Sequence, residues 1–320
     1  MKPEQIRQLA QKVQQQVARV IVGKEDVVER MLVAIICQGH VLLEDVPGTG
    51  KTLLAKSIAK SLDCSFRRIQ LTPDLLPSDI TGIHYYNQKQ GDFTFRAGPV
   101  FANVVLADEI NRATPRTQSA LLECMEEKQV TVDGITMPLE QPFLVLATQN
   151  PIDIQGTFPL PEAQIDRFLM KLNMGYPTAE EGAGILRRFK EKNPVTDLMP
   201  VVSKEDLVAA QQTYHDVHVS DEMLGYIVAI AEATRTHPDI LLGVSPRGTQ
   251  ALLRAVQVLA ILRGRTHVEP DDIKALALPV LAHRVIVKGA LKLKAGVAED
   301  LLTGILRKLP VPAEELAPSL

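Results

Sequence analysis

An apolar run, Val41-Leu42-Leu43, feeds a Pro/Gly-rich turn that ends in Gly50-Lys51-Thr52 and opens into a helical stretch. That order of residues suits a triphosphate. Glycines let backbone N–H groups approach phosphate oxygens, and the helix that follows offers the positive end of its dipole. Lys51 would reach the β- and γ-phosphates, and the Thr52 hydroxyl would hold Mg²⁺. In the general G-x-x-x-x-G-K-[ST] pattern the first glycine falls at position 45, where this chain carries Asp45. Aspartate tolerates a left-handed backbone better than most residues, which keeps the turn feasible.

Further along, Val104-Val105-Leu106-Ala107 reads as a buried strand that ends in Asp108-Glu109. Carboxylates at the C-terminal end of a strand sit where α/β sheets place their ligands. Asp108 could there hold Mg²⁺ while Glu109 polarises an attacking water. An acidic strand end meeting solvent is the plain alternative, and the upstream phosphate loop argues against it. A second strand-like run, Leu146-Ala147-Thr148, ends in Gln149-Asn150-Pro151. Asn150 could donate to a γ-phosphate oxygen or orient the water, with Gln149 a nearby alternative; Asn-Pro is also an ordinary turn starter. Arg167 and Arg247 each offer a guanidinium to phosphate. Supplied across an interface, such an arginine contributes ~10³–10⁵ in rate; surface salt bridges are the alternative that spacing leaves open.

These groups need a scaffold. Short apolar runs at 40–44, 66–71, 104–108 and 143–148 alternate with helix-length segments. Four buried strands so spaced predict a parallel sheet with helices on both faces. An N-terminal helical pattern from Pro3 to Ala34 breaks at Val22-Gly23-Lys24. Residues 83–96, aromatic and β-branched around a polar centre, predict a β-hairpin. Residues 130–137 predict another, turned on Asp133-Gly134. After Gly175-Tyr176-Pro177 the pattern becomes helical. Thr178 and Glu181 form a candidate capping box, and Ser245-Pro246 and Glu269-Pro270 start later helices.

Composition excludes several classes. With 46% hydrophobic and 23% charged residues among 320, the chain is globular rather than disordered, and its length suggests two domains. A formal net charge of −3 gives no global basic footprint for nucleic acid. Cys37, Cys64 and Cys124 are odd in number and widely spaced, which argues against disulfides or zinc and for free thiols in a reducing cytosol. The histidines show no metal pattern, so His215 and His218 are expected at the surface. No run of 18 apolar residues and no signal-peptide core occur, so a cytoplasmic protein without membrane insertion is expected.

Together these residues resemble the MoxR family of AAA+ ATPases, from about Glu4 to Leu309. The resemblance is carried by Ile21-Val22-Gly23, the Glu44–Thr52 loop, Gly98-Pro99-Val100-Phe101, and Leu106-Ala107-Asp108-Glu109-Ile110-Asn111-Arg112-Ala113. Ala147-Thr148-Gln149-Asn150-Pro151, the stretch from Pro159 to Phe168, and Ser245-Pro246-Arg247 complete it. Asp45 in place of glycine resembles what this family often carries. The resemblance implies an α/β AAA+ P-loop domain at 1–176, a parallel sheet flanked by helices with two β-hairpin insertions, then a smaller all-helical lid at 177–320. It assigns Val22 and Gly23 to the adenine side and Val46, Pro47, Gly48, Thr49, Gly50, Lys51, Thr52 and Leu53 to the phosphate cradle. Thr52 and Asp108 become the Mg²⁺ ligands, and Glu109 the water-polarising acid. Asn150 corresponds to sensor 1, Arg167 to the arginine finger and Arg247 to sensor 2. Both hairpins face the pore in related rings.

The implied activity is Mg²⁺-dependent ATP hydrolysis by a chaperone-like protein that remodels or matures protein complexes. ATP would lie at subunit interfaces of a homo-oligomeric, hexameric ring. The implied partners are a von Willebrand factor A domain protein and a protein client. A nucleic-acid motor or loader and a metal-chelatase motor subunit are the alternatives. The slightly acidic balance and the lack of an appended DNA-binding domain disfavour nucleic acid. The acids, the lysine and both arginines disfavour a non-catalytic scaffold.

Overall fold

The computed structural model describes residues 1–151, 156–190, 194–289 and 296–312. The N-terminal helical pattern forms α1 (Pro3–Ala18) and α2 (Glu25–Ile36), divided at Gly23, whose φ of +68° a helix interior does not accept. Next come β1 (His40–Glu44), α3 (Lys51–Ser61), β2 (Phe66–Gln70), α4 (Pro77–Thr81), β3 (Gly82–Asn87), β4 (Asp92–Ala97) and β5 (Val104–Asp108). They are followed by α5 (Pro115–Glu127), β6 (Gln129–Val132), β7 (Ile135–Pro138), β8 (Leu144–Gln149), α6 (Glu162–Ile165), β9 (Phe168–Leu172), α7 (Ala179–Phe189) and α8 (Lys204–Thr213).

Five strands form one parallel sheet in the order β2-β5-β8-β1-β9. The sequence reading expected four strands; β9 is the addition. Its residues Phe168-Leu169-Met170-Lys171-Leu172 are nearly all buried, but Lys171 interrupts the apolar run that would mark a strand. β1, β5 and β8 are buried on both pleat faces, which is why they read as continuous Val/Leu/Ala. Leu42, Val105, Ala107, Val145 and Ala147 pack in one core with Leu121, Leu122 and Met125 of α5.

Both expected hairpins are present. β3 pairs with β4 from Gly82↔Ala97 to Asn87↔Asp92, and β6 pairs with β7. Asp133 and Gly134 turn the second at φ +51° and +78°, as a tight I′ turn requires. The two hairpins are joined where His84 Nδ1 donates to Asp133 Oδ2 at 2.9 Å.

The described residues group into two compact units, one of Met1 and those within Gln8–Gln212, the other of Lys2–Arg7 and those from Thr213 onward. Residues 177–212, read from sequence with the lid, thus group with the sheet. Val201 N–H donates to Ser61 O at 2.9 Å, and Gln211 Nε2 donates to Ile35 O at 2.8 Å. The expected capping box of α7 forms, with Glu181 N–H donating to Thr178 Oγ1 and Thr178 N–H to Glu181 Oε2.

The second unit holds α9 (Asp221–Thr236), β10 (Ile240–Leu242), α10 (Pro246–Leu262), α11 (Pro270–Leu281), β11 (Ile286–Val287) and α12 (Val297–Lys308). It is helical as expected, with one addition: β10 and β11 pair antiparallel. Strands of three and two residues are too short to leave an alternating signature. Ser245 caps α10 by accepting from Gly248 N–H.

His40 fixes the start of β1. Its Nε2 donates to the Met125 carbonyl at 3.0 Å, and its Nδ1 accepts from Val145 N–H at 2.9 Å. Both nitrogens are committed to one neutral tautomer. Burial pushes its pKa down from 6.5 to about 4, and the Lys128 charge adds to this. The unfolded chain therefore binds a proton between pH 6.5 and about 4 that the folded chain refuses. Stability is full above 6.5 and falls as pH drops through that window, by about 1.4 kcal/mol per unit. We expect the urea midpoint to fall across this range in the native chain and less steeply in His40→Gln. Parallel pH profiles for the two would contradict it.

Candidate active site

The parallel register gathers chemistry at one end of the sheet. Gln70 lies beside Asp108 and Glu44 beside Gln149, so the strands' polar C-terminal residues share one edge, where open α/β sheets bind ligands. An open cleft of about 670 Å³ lies there, lined by Gly48, Gly50, Lys51, Thr52, Asp108, Glu109 and Asn150 among others.

The loop between β1 and α3 has the shape of an anion cradle. Gly48 and Gly50 adopt φ +85° and +92°, which side-chain-bearing residues rarely take. A Cβ on Gly48 would meet nothing within 4 Å, and one on Gly50 only Met174 Cε at 4.0 Å. The glycines thus serve backbone conformation, and the concave face above them is open to a ligand. Gly50 supplies no side-chain cap to α3, so the first N–H groups of that helix have no partner within it. Lys51 Nζ donates to the carbonyls of Asp45 at 2.8 Å and Val46 at 3.0 Å. Thr49 closes the loop through Oγ1 to Val46 O.

Asp45 departs from the sequence expectation. It does not adopt a left-handed backbone; among the described non-glycine residues only Gln38, Asp63, Glu109, Lys128 and Asp133 do. Its buried carboxylate works instead as an acceptor, taking Val46 N–H on Oδ1 and the N–H groups of Met174 and Gly175 on Oδ2.

The two acids are held from three sides. Thr148 Oγ1 donates to Asp108 Oδ1 at 2.6 Å and accepts Glu109 N–H at 2.8 Å. Arg68 reaches Asp108 Oδ2 through Nε at 3.0 Å and Nη2 at 2.5 Å, and donates to Gln70 Oε1. Gln70 Nε2 donates in turn to Glu109 Oε2 at 2.9 Å, and Arg112 Nε lies 3.3 Å from the same oxygen. Glu109 sits at φ +59°, ψ +54°, a left-handed backbone that costs a β-carbon-bearing residue about 1–3 kcal/mol. Asn150 is buried beside these groups at the cleft wall.

Sequence reasoning missed Thr148, Arg68 and Gln70. Thr148 stood in a quoted motif and its hydroxyl was the available signal. Arg68 and Gln70 alternate on β2 and gain meaning only once β2 is known to lie beside β5.

Val22 and Gly23 pack on the start of α7. A Cβ on Gly23 would collide with the Glu181 carboxylate, and one on Gly184 would lie 3.4 Å from Val22 Cγ1. Lys24 Nζ meets Glu181 Oε2 at 3.6 Å and donates to Tyr176 O.

The two arginines stand elsewhere. Phe168 pairs with His40 at the start of β1, so Arg167 lies at the sheet end opposite the phosphate loop. The strand alone separates those ends by roughly 13 Å. Arg167 is absent from the cleft lining, and its Nε pairs with Glu126 Oε2 at 3.1 Å. Arg247 belongs to the second unit, exposed in the first turn of α10.

The residues fit Mg²⁺. Thr52 and Asp108 offer hard oxygen donors, and the described residues contain no cluster of three or more His, Cys, Asp or Glu. One carboxylate with phosphate oxygens is how Mg²⁺ is commonly bound. No cysteine among the described residues lines the cleft, and burial raises the Cys64 and Cys124 pKa values to about 12.

Comparison with known proteins is consistent with this geometry. Residues 40–170 match the model of the ATPase family associated with various cellular activities (AAA), and residues 232–302 match that of the AAA lid domain. The chain is 49% identical to uncharacterized protein YeaC of Bacillus subtilis over 98% of both chains. It is 43% identical to Chaperone MoxR1 of Mycobacterium tuberculosis over 85% of this chain and 74% of that one. A crystal structure from Cytophaga hutchinsonii, provisionally described as an ATPase, superposes with a TM-score of 0.90 at 41% identity, covering 96% of each chain.

Removing the Thr148 hydroxyl should disturb both acids at once. Thr148→Val is expected to slow phosphate release roughly tenfold or more while nucleotide affinity stays near the native value, with Thr148→Ser recovering most of the loss. Phosphate release and fluorescent-ADP titration check this; native turnover by Thr148→Val would contradict it.

Proposed function

Because this chain belongs to the MoxR-type AAA+ ATPases, we propose that it is a cytoplasmic ring ATPase. It hydrolyses ATP at subunit interfaces and uses the cycle to remodel or mature protein complexes. The observation that carries this reading is the position of Arg167. Lysine, acids and amide converge on the cleft, yet the arginine that would neutralise transition-state charge stands at the other end of the sheet. A second copy can bring it to the cleft, and a closed ring satisfies every subunit at once. A hexamer is the ring we propose.

In this reading the cradle of Val46, Pro47, Gly48, Thr49, Gly50 and Leu53 binds the phosphates through backbone N–H groups, with Val22 and Gly23 on the adenine side. Lys51 exchanges the carbonyls of Asp45 and Val46 for β/γ-phosphate oxygens. Thr52 and Asp108 hold Mg²⁺, which neutralises phosphate charge when bound. Glu109 accepts the proton of the attacking water, and Asn150 orients that water or the γ-phosphate. Arg167 of one copy stabilises charge on the phosphoryl group of the next. Arg247 reports the nucleotide state to the lid. Functionally we divide the chain into nucleotide domain 1–176 and lid 177–320, since every proposed phosphate and Mg²⁺ residue except Arg247 precedes 177.

A protein client is supported by the hairpins. Tyr86 and Phe93 are 55% and 66% exposed at the tip of β3–β4, and Ile135 is 55% exposed on β6–β7. Exposed apolar side chains on hairpin edges suit transient grip on polypeptide. A von Willebrand factor A domain protein is the partner we propose on the resemblance.

ATP hydrolysis measured against protein concentration, with light scattering with and without ATP, tests the shared site. Specific activity should rise with assembly. Arg167→Ala should lose turnover by roughly 10³-fold or more while still binding nucleotide. Glu109→Gln should retain bound ATP and stabilise the ring. Concentration-independent turnover by a monomer would remove the ring mechanism.

A further inference from the structure

Every polar group of Asp45 is engaged. Its N–H donates to Gln149 O at 3.2 Å, its carbonyl accepts Lys51 Nζ, and its carboxylate accepts three backbone N–H groups. It is also buried, at 4% exposure. A generic phosphate loop needs none of this, because glycine has no side chain at that position. The left-handed backbone that would excuse a glycine-like residue is absent here. The side chain itself is what the position uses.

Its bonds connect two separate segments. One is the phosphate loop, through Val46 N–H at 2.8 Å. The other is the peptide that leaves β9, through Met174 N–H at 3.0 Å and Gly175 N–H at 2.9 Å. Gly175 N–H is shared with Asn173 Oδ1 at 2.6 Å, whereas the Asp45 carboxylate is the acceptor found for Met174. From Gly175, at φ +63°, the chain runs through Tyr176 to Thr178 and the capping box of α7. Tyr176 O and Glu181 of α7 in turn hold Lys24, which follows directly on the Val22–Gly23 segment. One carboxylate thus stands between the phosphate cradle and the peptide that braces the proposed adenine side.

We propose that Asp45 is a positioning residue that couples nucleotide binding in the phosphate loop to the order of Met174–Gly175. When Lys51 leaves the Asp45 carbonyl for phosphate, the carboxylate keeps the 45–46 peptide in register. The same carboxylate carries the resulting tightening of the loop to Met174. A charged acceptor serving several N–H groups suits this, since such bonds are about twice as strong as neutral ones. The inference rests on the phosphate-loop reading and is independent of ring assembly.

Amide exchange resolved at Met174 in the full-length protein tests it, with and without ADP or AMP-PNP. In the native chain nucleotide should slow exchange at Met174. In Asp45→Gly, which restores the general loop residue, exchange should be roughly tenfold or more faster and no longer respond to nucleotide. Fluorescent ADP should still bind that variant, several-fold more weakly. Should Asp45→Gly not fold, as judged by its melting profile, Asp45→Asn carries the test. It keeps the volume but turns an NH₂ donor toward N–H donors, and should show the same uncoupling. Nucleotide-dependent slowing in the variant equal to that of the native chain would overturn the coupling and leave the phosphate-loop reading intact. A native chain that binds neither nucleotide would overturn both.

Discussion

Gln70 lies level with Asp108, and Glu44 with Gln149, because the strands of this sheet run parallel and in step. A slip of one residue would turn Asp108 into the core and a buried alanine toward the ligand edge. The continuous apolar character of β1, β5 and β8 forbids such a slip only weakly, since both faces are buried. Polar strand ends do the rest. Thr148 bonds Asp108 across the sheet, and Arg68 and Gln70 bond both acids from the edge strand. Register therefore places the chemistry, and the chemistry in turn pins the register.

Holding two carboxylates side by side has an electrostatic cost, and the site offsets it with unequal partners. Asp108 receives a guanidinium and a hydroxyl, whereas Glu109 receives an amide and a second, longer arginine contact. The first arrangement fixes the Asp108 carboxylate at both oxygens. The second gathers both contacts of the Glu109 carboxylate on Oε2. Its left-handed backbone adds to that contrast, since Asp108 ends a regular strand.

Much of this was legible from residues whose local chemistry is self-contained. Gly48, Gly50, Lys51 and Thr52 announce a phosphate loop because backbone freedom, charge and hydroxyl are all encoded within a few positions. The Asp133-Gly134 turn and the Thr178/Glu181 cap are equally local. Features that depend on which segments become neighbours were not legible. β9 escaped because Lys171 interrupts its apolar run, and the β10–β11 ribbon because its strands are shorter still. Arg68 and Gln70 look like ordinary edge polarity until β5 is placed beside them. The role of Asp45 was misread for the same reason. Its partners Met174 and Gly175 lie about 130 positions away, so local reasoning could weigh only its backbone.

The hydrogen bond between His84 and Asp133 has a mechanical side. A two-stranded ribbon standing alone bends readily, and each hairpin here would do so separately. Joined to one another at 2.9 Å, the two make a truss-like pair of separated members with one cross-tie. One foot of that truss is β6, which follows directly on α5, the helix whose Glu126 grips Arg167. Tyr86 and Phe93 thus stand on a ribbon tied through Asp133 and β6 to the helix that anchors Arg167.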